Sequence, residues 1–133
     1  MGEPLRAELE ALLEHTQKQL RAHPDAQQVI GVKTAKGNLA FAVSRHVIQG
    51  DYGEEDNLFH FLEETDDTRI LYFITMWNNG GVDMCSHHFR TGLLAMDPEN
   101  LNAVTLLQGP GVYHAKPLKN LLPPEKTERK EIK

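Results

Sequence analysis

Between Pro4 and Ala22 the leucines fall at Leu5, Leu9, Leu12, Leu13 and Leu20, with Glu8, Glu10, Glu14, Lys18 and Arg21 between them. This spacing lies close to the helical period and predicts an amphipathic helix. Pro4 suits the first turn, where its missing N–H has no helical partner, and Pro24 disfavours helix at His23. The pattern then changes. Val29-Ile30-Gly31-Val32 and Leu39-Ala40-Phe41-Ala42-Val43 are β-rich runs on either side of Lys36-Gly37-Asn38. The turn chemistry of that tripeptide predicts a β-hairpin, its second strand reaching as far as Ile48 before Gly50-Asp51-Tyr52-Gly53 interrupts it.

Glu54 to Glu64 opens with acids and carries Leu58, Phe59, Phe61 and Leu62, which predicts a short helix with its anionic end at the positive end of the helix dipole. Arg69 to Trp77 contains Ile70-Leu71-Tyr72-Phe73-Ile74, apolar on both faces, as a strand in the middle of a covered sheet would be. Asn78-Asn79-Gly80-Gly81 is a loop. Cys85 to Met96 places Phe89, Leu93, Leu94 and Met96 at helical spacing and stops before Asp97-Pro98, which predicts a third helix. Ala103 to Leu107 and Val112 to Ala115 read as strands around Gln108-Gly109-Pro110-Gly111, and Pro117 to Leu122 as one helical turn. The order α-β-β-α-β-α-β-β-α is that of an α/β protein whose central sheet is covered on both faces. One domain over residues 1–124 is expected. From Pro123 onward the chain alternates proline and charge, so residues 125–133 are expected to form a charged, disordered tail.

Composition narrows the function classes. The 133 residues are 40% apolar and 25% charged, with a mean hydropathy of −0.46, as in a soluble globular protein. Fourteen Lys+Arg against nineteen Asp+Glu give a net charge of −5, so no global basic field gathers phosphates and non-specific binding to duplex DNA is not expected. A single cysteine, Cys85, cannot staple the fold, and the first residues lack the pattern of a signal peptide. A reducing, cytoplasmic location is therefore expected, and no apolar run is long enough to predict a membrane span.

In open α/β sheets ligands sit beyond strand ends, where loops and helix N-termini converge. Two helix entries qualify, Gly53-Glu54-Glu55 and Met84-Cys85-Ser86-His87-His88. Cys85 and His88 have Cys-x-x-His spacing, which on a first helical turn lets a thiolate and an imidazole converge on an ion such as zinc. A catalytic zinc needs three protein ligands, and the possible third donors are His46, His60 and His87. The adjacent His87 and His88 point in different directions on a helix, so only one of them should line a pocket. Glu55, at a helix N-terminus, is suited to moving a proton between metal-bound water and a substrate nitrogen, or simply to stabilising the dipole. From Asp51 to Thr68 there are eight acids and no Lys or Arg, which reads as a solvated face or as a site for a cation. Gly109-Pro110-Gly111 lacks the lysine and the helix of a phosphate loop, which disfavours kinase-like and dinucleotide chemistry.

The element order and these two helix entries, together with the closing Leu118-Lys119-Asn120-Leu121-Leu122-Pro123, resemble the small zinc-dependent cytidine deaminases over roughly Leu9 to Pro124. The resemblance implies a three-layer α/β/α sandwich around a five-stranded mixed sheet. It also implies that the first entry supplies one zinc ligand and an acid/base glutamate, and the second, a Pro-Cys-x-x-Cys motif, two thiolates. In this sequence Glu55 holds the glutamate position and Gly53 supplies no ligand. Cys85 stands as one thiolate, His88 replaces the other, and Met84 replaces the proline. The motif is incomplete, so the expected protein is a degenerate member that acts as a non-catalytic binding or regulatory module for a nucleoside-like ligand, with no cofactor. The alternatives are a zinc-dependent nucleoside deaminase that recruits His46, and an interaction scaffold of roadblock or profilin type. The resemblance further implies a homo-oligomer.

Overall fold

The computed structural model describes residues 3–47 and 51–122. Helix α1 spans Glu3–Ala22, and strands β1 (Gln28–Thr34) and β2 (Leu39–Ser44) form the hairpin. Its turn passes through Gly37 at φ 92°, a left-handed backbone that glycine adopts without a Cβ penalty. Helix α2 (Gly53–Glu64) leads to β3 (Ile70–Trp77), followed by the two-residue strand β4 (Val82–Asp83), helix α3 (His87–Met96) and a 3-10 turn at Pro98–Asn102. Strands β5 (Val104–Gly109) and β6 (Val112–Pro117) form a second hairpin, and Leu118–Asn120 is a further 3-10 turn.

The strands run in the order β2-β1-β3-β5-β6, with β4 paired to β3 beside this path. Among the described residues only the β3–β5 pair is parallel, so the sheet is mixed. On one face α1 lays Leu9 and Leu12 against Ile74, Met76 and Leu106. It lies so close that a Cβ on Gly31 would stand 2.5 Å from Thr16 Oγ1. On the other face Leu58, Phe59 and Leu62 of α2 and Phe89 and Leu93 of α3 cover Ile30, Val32, Ala42 and Phe73. Phe89 is the centre of that layer, with its ring 5.1 Å from Phe59 and 6.2 Å from Phe73. The expected three-layer sandwich is what the chain forms, because alternate strand residues carry apolar groups to both faces and each helix has one apolar stripe to cover them.

Asn100, fully buried, joins the layers. Its Oδ1 accepts from Ile70 N at 2.7 Å, and its Nδ2 donates to Leu93 O at 2.8 Å and Thr68 O at 2.9 Å. Two boundaries and two short elements differ from expectation. The second strand ends at Ser44 rather than running towards Ile48, with Val47 N held instead by Gln27 Oε1 at 2.7 Å. Helix α3 starts two residues after Cys85, because Ser86 caps it. The short β4 and the turn at Pro98 were not expected, since both are set by pairing and capping partners rather than by periodicity. Ile48 itself and the tail lie outside the described residues. Among those residues no helix is long and apolar enough to cross a membrane.

Candidate functional site

The N-termini of α2 and α3 meet above one end of the sheet, where β1 begins and β2 and β3 end. A cleft of about 580 Å³ opens there, lined among others by Gln28, His46, Tyr52, Glu55, Trp77 and Ser86. Its deepest acid is Glu55, 6% exposed, on the first turn of α2. Ser86 Oγ stands 3.0 and 3.1 Å from the two oxygens of the Glu55 carboxyl and also accepts from Phe89 N at 3.0 Å. One hydroxyl thus caps α3 and binds the acid at the head of α2. Burial raises the Glu55 carboxyl above its ordinary range; the Ser86 hydrogen bond and the His88 charge oppose that, and Asp56 adds to it.

Cys85 is next along the chain but turns into the core, among the residues packed around Phe73 and Phe89. Burial pushes its thiol up to about 12, with Arg90 opposing and Glu55 reinforcing. Arg90 Nη1 donates to the Cys85 carbonyl at 2.8 Å and so fixes the turn that leads into α3. His88 Nε2 lies 2.7 Å from Asp56 Oδ1, and its ring stacks on Tyr52 at 4.2 Å and 8°. It therefore braces a wall of the cleft.

Of the residues singled out in the sequence, the cleft gathers Glu55 and His46 directly. Cys85 and His88 flank it, one beneath and one behind Tyr52. His87 is exposed, and His60, also exposed, lies 3.9 Å from Glu63. Among the described residues no three His, Cys, Asp or Glu side chains form a group able to hold a metal ion. The donors brought together here do not fit a three-ligand zinc: the side chain beside Glu55 is a hydroxyl, and the neighbouring Cys85 side chain packs into the core. Ser86, Tyr52 and Trp77 were not singled out by sequence reasoning. Ser86 had one legible signal, as a serine directly before an apolar periodic run, the pattern of an N-cap.

No family model matches the chain, and no curated protein does. Solved structures are similar to it. The cytidine deaminase from Bacillus anthracis superposes with a TM-score of 0.65 at 14% identity, covering 92% of this chain and 91% of that one. The cytidine deaminase from Mycobacterium leprae gives 0.59 at 18% identity over 86% and 96% of the two chains. That from Mycobacterium tuberculosis gives 0.59 at 20% over 86% and 94%. The protein has a cytidine deaminase-like fold.

Proposed function

We propose that, on this cytidine deaminase-like fold, the protein is a binding module whose cleft receives a small planar polar molecule of nucleoside size without hydrolysing it. The observation that carries the reading is the pairing of Glu55 with Ser86. A serine hydroxyl, rather than the Cys85 thiolate that the resemblance would bring to a metal, stands beside the acid, and a neutral hydroxyl is a poor zinc ligand. Without a metal to lower the pKa of a water, a carboxyl in this position has no hydroxide to deliver to a ring carbon. What remains suits binding: a concave site with two aromatic side chains, an acid able to accept or donate, and a hydroxyl and an amide for orientation.

The similarity to deaminase structures supports a nucleoside-like ligand as the first to test. Calorimetric titration with cytidine and uridine is expected to give binding without release of ammonia. Elemental analysis of protein purified without added metal is expected to find well under one zinc per chain. About one zinc per chain, together with deamination lost in Glu55→Gln, would replace this reading with that of a zinc hydrolase. Gel filtration with light scattering tests the homo-oligomer that the resemblance implies.

A further inference from the structure

We propose that the outer edge of β6 is a docking strand for an extended acidic segment of a partner protein. The sheet order leaves β6 paired with β5 alone, so among the described residues one side of its backbone faces outward. The register fixes which groups those are. Leu118 N donates to Ala103 O at 2.7 Å just past the ladder, and Gly109 pairs with Val112 across a two-residue turn. Bonded pairs alternate along an antiparallel ladder, so Val112, His114 and Lys116 turn their backbone groups to β5, while Tyr113 and Ala115 turn theirs to the open edge. Pro117, the next outward position, has no N–H and closes the edge at that end. An added strand therefore bonds at Tyr113 and Ala115, in a short and defined register.

The two faces of β6 set what that strand must carry. On the face towards α1, Ala115 packs with Leu106 and Leu9. Helix α1 lies mainly over β1 and β3, and beside it remains a groove of about 290 Å³ between Leu9 and Leu13 of the helix and Leu106 and Tyr113 of the hairpin. Val112 and Tyr113, which border it, are 55% and 44% exposed, an apolar surface next to an open backbone edge. Alternate apolar side chains of an added strand enter this groove while its backbone pairs with β6. The opposite face, by alternation, carries His114 and Lys116, both exposed. Neither is paired with a carboxylate among the described residues. In a chain of net charge −5 this is a local basic strip, and acids at the partner's other positions lie directly across from it. Val112 to Pro117 contains no acid, so the same strand of a second copy brings no counter-charge, and an acidic partner fits where self-pairing does not. The groove shares no lining residue with the cleft above the helix heads, so this inference stands apart from the ligand reading.

The test is fluorescence anisotropy of a labelled peptide of alternating leucine and glutamate, with the leucine–lysine peptide as counterpart, each titrated with the full chain at pH 7. The acidic peptide is expected to bind at least tenfold more tightly than the basic one, and Lys116→Glu to remove that preference. Ala115→Pro deletes an outward N–H and is expected to weaken the acidic peptide at least tenfold. Hydrogen exchange in the unmodified chain serves if that variant does not fold. The His114 and Lys116 amides are expected to be protected already in the free chain, and the Tyr113 and Ala115 amides to slow at least tenfold when the acidic peptide is added. Equal affinity for the two peptides, no binding of the acidic one, or binding that leaves the Tyr113 and Ala115 amides unchanged would each overturn the proposal. Protection of those two amides by raising the concentration of the chain alone would assign the edge to a second copy and would also overturn it.

Discussion

Replacing Ser86 by alanine removes two interactions at once, and pH separates them. The first is the cap: Ser86 Oγ accepts from Phe89 N at 3.0 Å, and losing such a cap costs about 1 kcal/mol at any pH. The second is the bond to Glu55. A hydrogen bond to a charged partner contributes about 1.5–3 kcal/mol, and it has that strength only while Glu55 is ionised. Because the folded carboxyl titrates above its ordinary value, its contribution to stability is fully present below that ordinary value and is lost as pH rises through the raised one. Ser86 limits this loss by stabilising the ionised form, so the variant loses more than the wild type on the alkaline side. The expected destabilisation of Ser86→Ala is about 1 kcal/mol near pH 4 and about 2.5–4 kcal/mol near pH 8. Urea unfolding of wild type, Ser86→Ala, Glu55→Gln and the double variant at both pH values measures it, with the cycle isolating the pair. In the Glu55→Gln background the serine's contribution should be independent of pH. An equal loss at pH 4 and pH 8 in the wild-type background, or strict additivity at pH 8, would refute a serine–carboxylate pair at the head of the two helices.

Cys85 is expected to be almost inert in the folded protein. Its thiol, at about 12 against an ordinary 9.0, carries roughly a thousandfold less thiolate at pH 8, so iodoacetamide labelling should be at least that much slower than in urea; rapid native labelling would contradict its place in the core. Asn100→Ala strands Ile70 N, Leu93 O and Thr68 O and is expected to cost roughly 3 kcal/mol or more, read as a lower urea midpoint; a loss under about 1 kcal/mol would mean that the layers do not depend on this side chain.

The chain itself dictates most of the scaffold. The leucine spacing of α1, the β-rich runs around the Gly37 turn and the doubly apolar run of β3 each encode an element through contacts a few residues apart, and the order of elements then leaves few ways to cover a sheet on both faces. It also places Glu55 at a helix N-terminus. What it does not dictate is which side chains meet across 31 residues. The Cys-x-x-His spacing suggested that Cys85 and His88 converge, and that depended on Cys85 lying on the first helical turn. Folding starts the helix after Ser86, because its hydroxyl can take the Phe89 N–H, and this rotates the entry by enough to bury the thiol and present the hydroxyl to Glu55. His88, in the first turn, then finds Asp56 on the neighbouring helix and Tyr52 just ahead of it. Periodicity records which face of an element is apolar. The rotation of one helix head against another is settled by burial and by a single cap, and those exist only once the sheet holds both helices in place.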